Sequence, residues 1–278
     1  MKINEVILIS VLLGVLVGLA SIYAYPSTTS YSVANRGSNG FSDLLSSFRA
    51  SIVTDLNVLH GVNASNTTYL LIRSSKASAS ELGVLNLFLA SGGNLIVSGT
   101  PNFINSVAEY FNLGVRVEEA VVYDMVRNSG DRFHPIGFSD YCNASVTTYL
   151  PHYITGEGFK VLAHSSDFSY ADLDGDGYID LDEPMGRFPI AASISVGSGQ
   201  LILVSSPEVF TNELIDSNRE FVGCVIGGRS LLVDQVSVKS DLIEYMRVLA
   251  ISRGSPSYLF VTLAAILCLV VYYVFREG

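Results

Sequence analysis

Ser78–Phe103 reads SASELGVLNLFLASGGNLIVSGTPNF, and its periodicity changes partway along. Leu82, Leu85, Leu87, Phe88 and Leu89 give the first half the broad apolar face of a helix, and Gly92 stands where a helix terminates. Asn94–Val97 is then a short apolar run, read as a buried strand, followed by the loop SGTPNF and a second helix through Tyr110. The apolar strand Tyr69–Ile72 lies just upstream. Strand, helix, strand and helix in this order predict a parallel sheet covered on both faces.

Working outward, the same rhythm holds upstream: a short strand at Tyr31–Ala34, the turn NRGSNG, a helix from Ser42 and a strand over Ser51–Leu56. Downstream it breaks. VRVEEAVVYD at 115–124 reads as a strand, but NSGDRFHPIGFSDYCNAS is polar, aromatic and irregular, so residues 123–190 are read as an insertion. AASISV and QLILV then flank GSG, a hairpin signal. A helix from about Glu213, a strand within GGRSLLVDQVS and a last helix capped by Ser240 complete the series.

The chain has 278 residues, and both ends differ from the middle. Val6–Tyr25 and Tyr258–Phe275 are uncharged apolar runs of membrane-crossing length, with tyrosines near their ends. They predict a transmembrane anchor within 1–26, a domain over 27–255 and a second transmembrane helix within 256–278. On that reading the protein sits in the cell membrane, with its large domain extracytoplasmic and both termini cytoplasmic. A formal net charge of −10 without a basic patch excludes nucleic acid as a partner. Cys142 and Cys224 stand as either one disulfide or two free thiols, a choice that sequence leaves open.

Asp172–Glu183, DLDGDGYIDLDE, carries the densest chemistry. A Ca²⁺ loop of EF-hand type needs oxygens at positions one, three, five, seven, nine and twelve, and glycine at six. Asp172, Asp174, Asp176, the Tyr178 carbonyl, Asp180 and Glu183 fill those slots, with Gly177 at the turn. Pro184 follows the last ligand and opposes a continuing helix, so the loop suits a structural clip better than a sensor. Five ligand carboxylates repel one another until a divalent cation neutralises them, and binding energy then becomes local folding energy.

Catalytic signals are sparse. The turn VSGTPNF holds Ser98 and Thr100 but no cysteine, and no G-x-S-x-G elbow occurs. His60, His134, His152 and His164 lie in separate segments without paired-ligand spacing. A binding site fits better. Ligands of open α/β sheets collect at the carboxyl ends of the strands, which gathers Arg36, Ser38, Asn39, Ser74, Ser98, Thr100, Ser205 and Asn212. These groups suit a polar ligand such as a saccharide or peptide.

NRGSNGFSDLL, LNLFLASGGNLIVSGTPNF and EPMGRFPIAASISVGSGQLILVSSPEVFTNELID together resemble the membrane-anchored family called domain of unknown function 4350. The resemblance implies an α/β fold similar to class I glutamine amidotransferases, flavodoxin-like, with a calcium loop inserted and two transmembrane helices flanking it. It also implies kinship with the auxiliary component of gliding-type ABC transport systems, and a non-catalytic module that binds a protein partner in a membrane complex. Two departures stand out. Ser205-Ser206-Pro207 replaces the usual Ser-Asp-Pro, and Asp234-Gln235 replaces an acidic pair followed by histidine. The expected function is a calcium-stabilised binding module; an envelope hydrolase and a calcium-dependent adhesion or sensor protein are the rival readings.

Overall fold

The structure is a computed structural model that describes residues 25–252 together with residues 10, 11, 13, 14, 17 and 18. Its centre is the segment Ser78–Phe103 with the strands on either side. Strand β1 (Ser51–Val53) is followed by β2 (Thr67–Arg73), helix α2 (Ala79–Ala90), β3 (Asn94–Gly99) and helix α3 (Pro101–Tyr110). Helix α1 (Ser42–Phe48) precedes β1. The start of α2 is fixed by a reciprocal box: Ser78 Oγ accepts from the Glu81 amide while the Glu81 carboxylate accepts from the Ser78 amide. Thr100 caps α3 one way only, its hydroxyl accepting from the Phe103 amide, with Pro101 in the first turn, where its missing N–H costs nothing.

The remaining strands are β4 (Val115–Asp124), β5 (Ile136–Ser139), β6 (Ala144–Thr147), β7 (His152–Gly156), β8 (Lys160–His164), β9 (Ser169–Asp172), β10 (Pro189–Val196), β11 (Gly199–Val204) and β12 (Ser230–Asp234). Helices α4 (Arg219–Ile226) and α5 (Leu242–Ser252) flank β12 in the chain. A nine-stranded sheet runs β1-β12-β2-β3-β11-β10-β8-β5-β6, and a smaller one runs β7-β4-β9. The first five strands of the large sheet are parallel, and the hairpin β11–β10 starts an antiparallel half.

Period-two alternation places the core on both faces of the parallel half. Leu70, Ile72, Ile96, Ile202, Val204 and Val233 point to one side, towards Phe41, Phe210 and Phe221. Tyr69, Leu71, Leu95, Val97, Leu201 and Leu203 point to the other, towards Leu85, Phe88, Leu89 and Phe103.

Several expectations are corrected. The amidotransferase-like sheet flanked by two transmembrane helices gives way to this mixed nine-stranded sheet. Among the described residues no helix is long and apolar enough to cross a membrane. Helix α2, at 12 residues, extends only about 18 Å, well short of a hydrocarbon core of about 30 Å. The run Tyr258–Phe275 lies outside the described residues, as does most of Val6–Tyr25. The membrane localisation, with its extracytoplasmic domain and cytoplasmic termini, rested on those spans and is withdrawn with them.

Residues 123–190 are also more than an excursion. They supply β5, β6 and β8 to the main sheet and β7 and β9 to the small one, pairing through short strands that carry little alternation of their own. Tyr31–Ala34 forms turns rather than a strand, and the helix expected from Glu213 begins at Arg219. Asp241, rather than Ser240, caps α5, accepting from the amides of Ile243 and Glu244.

Cys142 and Cys224 are joined as a disulfide. It ties the turn between β5 and β6 to α4.

Candidate functional site

Parallel strands end together, so their last residues meet. At the carboxyl edge Arg73 closes β2, Asp234 closes β12, and Thr100 and Ser205 follow β3 and β11. Arg73 lies level with Gly99, and a Cβ at Gly99 would stand 1.9 Å from the Arg73 carbonyl oxygen, so only glycine allows this approach.

The Arg73 side chain, 8% exposed, donates from Nε to Asp234 Oδ2 at 3.0 Å and from Nη1 to Glu81 Oε1 at 2.6 Å. Tyr69 donates its hydroxyl to Asp234 Oδ1 at 2.6 Å. Burial works against the Arg73 charge, but Asp234 and Glu81 outweigh it and hold the guanidinium protonated beyond its ordinary range. Burial, reinforced by Asp234, pushes the Tyr69 hydroxyl well above an ordinary phenol. Tyr31 shifts the same way, through burial and then Glu208, to which its hydroxyl donates at 2.9 Å. Both tyrosines therefore stay donors.

Two contiguous clefts open over this network. The first, about 210 Å³, is lined by Tyr31, Arg73, Thr100, Tyr149, His152, Ser205 and Glu208, among others. The second, about 310 Å³, shares Tyr31, Arg73 and Ser74 and continues past Ser75, Gln235, Ser237 and Asp241. Among the described residues, three buried side-chain polar atoms lack a hydrogen-bond partner: Arg73 Nη2, Ser205 Oγ and Asn94 Oδ1. The first two belong to one cleft, whereas Asn94 begins β3 at the opposite edge.

The residues expected here divide into three groups. Ser74, Thr100 and Ser205 do line the first cleft. Ser98 is fully buried, and its hydroxyl donates to the Val204 carbonyl at 2.6 Å, so it joins β3 to β11 instead. Ser38, Asn39 and Asn212 build a clamp between loops: Asn212 Nδ2 donates to the carbonyls of Asn35 and Gly37, Glu213 N donates to the Ser38 carbonyl, and Asn39 Nδ2 donates to Ser30 Oγ. Arg36 belongs to that clamp loop and not to the cleft lining. Arg73, Asp234, Tyr31 and Glu208 were not foreseen. The available signal was a charged residue at the last position of an otherwise apolar strand, YLLIR and SLLVD.

The acidic loop leaves β9 at Asp172 and returns beside the same strand. Ala171 N donates to the Pro184 carbonyl, and Gly186 N to the Ser169 carbonyl. Carboxylate oxygens of Asp172, Asp174 and Asp176 come within 4.8 Å of one another. Asp172 accepts from the amides of Gly175 and Gly177, at 2.7 and 2.9 Å. Glu183 accepts from Leu173 at 2.8 Å and Asp180 at 3.1 Å, which draws the twelfth position back over the first. Desolvation, then the charges of Asp176, Asp174, Glu183 and Asp182, raise the Asp180 carboxyl. Arg132 stacks over Tyr178, Tyr123 and Phe133, fastening the turn to β4. Clustered carboxylates suit a hard divalent cation, and a strand enters the loop where a sensor would have a helix.

The molecule is thus a mixed α/β domain with a polar cleft at the carboxyl edge of its parallel strands. The family described as Domain of unknown function (DUF4350) matches residues 30–222, and the chain belongs to it. Among curated proteins none matches the sequence.

Solved structures show distant likeness. The mmIFT52 N-terminal domain is 18% identical with a TM-score of 0.46, over 62% of this chain and 78% of that one. A ThuA-like protein from Bacteroides uniformis ATCC 8492 is 13% identical with a TM-score of 0.36, over 63% and 73%. A β-galactosidase from Bacillus circulans sp. alkalophilus is 15% identical with a TM-score of 0.35, over 56% of this chain and only 23% of the enzyme. Likeness at this level carries neither an activity nor a ligand to this chain.

Proposed function

We propose that the protein is a non-catalytic binding module that takes a polar ligand in the cleft headed by Arg73 and Ser205, with a calcium ion holding loop 172–183 in shape. The observation that supports the ligand reading is the pair of unpartnered buried groups, Arg73 Nη2 and Ser205 Oγ, in one cleft. A buried donor without a partner costs about 1–3 kcal/mol. A ligand oxygen that reached either group would recover that cost, whereas the loop clamp around Asn212 has its amide already engaged.

The hydrolase reading built on Ser98 is favoured less: its hydroxyl is engaged by the Val204 carbonyl, and His134, His152 and His164 contact other groups. Service as an accessory subunit, in line with kinship to the auxiliary component of gliding-type transport systems, is the partner side of the same proposal; the ligand would then be carried or presented by that partner.

Calorimetric titration of the full chain with panels of saccharides and short peptides tests the proposal. One class is expected to bind, and Ser205→Ala should weaken it about fivefold or more, the loss of one hydrogen bond. Arg36→Ala, outside the cleft, should change nothing. Equal binding by the wild type and Ser205→Ala would overturn the assignment of this cleft.

A further inference from the structure

Resting on that reading of the cleft, we propose that its ligand is an uncharged, hydroxyl-rich chain, an oligosaccharide of at least two rings laid across Arg73. Charge gives the first reason. Among the described lining residues of both clefts Arg73 is the one arginine or lysine, and it already pairs with Asp234 and Glu81. Glu208 adds a further carboxylate to the first cleft and Asp241 one to the second. An incoming anion would meet more negative than positive charge in a poorly screened site, so the free Nη2 donor calls for a neutral acceptor.

Size gives the second. Ligand pockets run to roughly 300–1,000 Å³. The first cleft, at about 210 Å³, is small for that range, and the second, at about 310 Å³, barely enters it. Because they share Tyr31, Arg73 and Ser74, a ligand of more than one unit can occupy both with Arg73 at its middle.

The chemistry of the walls gives the third. The second cleft offers Thr29, Ser30, Ser75, Ser237 and Ser240, groups that donate and accept, as sugar hydroxyls do. The first offers the rings of Tyr31, Tyr149 and His152 beside Glu208, apolar faces next to a strong acceptor. A peptide is favoured less. Peptide recognition by strand addition needs an open sheet edge, and these clefts lie across the ends of β2, β3, β11 and β12, which are paired on both sides.

The experiment is calorimetry on the full chain with glucose, an array of neutral di- and trisaccharides, trigalacturonate and an uncharged hexapeptide. A neutral trisaccharide should bind about tenfold or more tightly than glucose, and than trigalacturonate. The double variant Ser75→Ala, Ser237→Ala should remove most of the trisaccharide advantage without lowering the melting temperature, since both residues sit at the rim. Preference for trigalacturonate would overturn the requirement for an uncharged ligand, and binding of the peptide alone would overturn the saccharide inference; either would leave the cleft assignment standing, provided that Ser205→Ala still weakens the interaction. Glucose and trisaccharide binding equally would overturn the two-ring requirement. Failure of every probe would overturn the inference and the cleft assignment together.

Discussion

Arg73 would join stability to recognition, on the proposed reading, through a single guanidinium. Nε and Nη1 hold Asp234 and Glu81, while Nη2 has no partner, so the ion pairs would preorganise that donor for the proposed ligand. Glu81 is the titratable end of this arrangement. Burial alone would raise its carboxyl, but hydrogen bonds from Arg73 and Ser78 outweigh burial and lower it below the usual 4.5. A carboxyl lowered by folding contributes stability that is present above its unfolded value and lost as pH falls through its folded value. Wild type should therefore exceed Glu81→Gln in stability at pH 7, by about 1 kcal/mol from the charge-assisted bond to Arg73, since glutamine can keep the capping box. The gap should close below pH 4.5 as the carboxylate protonates. Urea denaturation of both proteins across that range checks this, and a gap that persists in acid would separate Glu81 from the charge network. The charge closing YLLIR was visible in the sequence, but its partners were not, because an arginine ending an apolar strand looks the same whether it faces water or lies over a cleft.

At the scale of elements, the disulfide between Cys142 and Cys224 joins parts that sequence separated. The bond closes 82 residues of chain, from the β5–β6 turn to α4. In the chain-entropy account a loop of that length stabilises by roughly 4 kcal/mol. The variant Cys142→Ser, Cys224→Ser should unfold at correspondingly lower urea, with the unpaired edge of β6 the first part to lose protection; identical midpoints with and without reductant would show that the bond does not constrain the unfolded chain.

Sequence was most informative where local signals agree. The β2–α2–β3–α3 series, strand 115–124 and the hairpin around GSG all appear, with β2 three residues and β3 two residues longer than read, since glycine placement and apolar run length pointed the same way. It was least informative for β5, β6 and β8. These strands have only four or five residues, and long-range pairing with β10 defines them rather than any period of their own. The acidic loop stood out in the sequence as a spacing of carboxylates, but its closure against β9 depends on backbone bonds that spacing does not encode.

For the whole molecule, the two sheets differ in what secures them. The large sheet lies between two extensive apolar clusters; the small one joins the second of them through Val115, Val117 and Ile154, but on its β9 side Val122, Ala171 and Phe188 form only a minor third cluster. Local opening should therefore begin near β9, where the acidic loop adds charge repulsion to a thin core. A cation that binds the closed loop and not the open one shifts that opening by mass action. With chelator, the amides of Leu173, Gly175 and Gly177, whose acceptors are the loop's own carboxylates, should exchange rapidly through local opening. Calcium at about 100 times its dissociation constant should slow them about 100-fold, equivalent to about 2.7 kcal/mol. Asp174→Ala should abolish the slowing, while amides in the first turn of α2, which exchange by fraying, should keep their rates. Unchanged exchange of the wild-type loop amides on adding calcium would remove the ion from this account and leave Arg132, through its stacking on Tyr178, as the element that holds the loop in place.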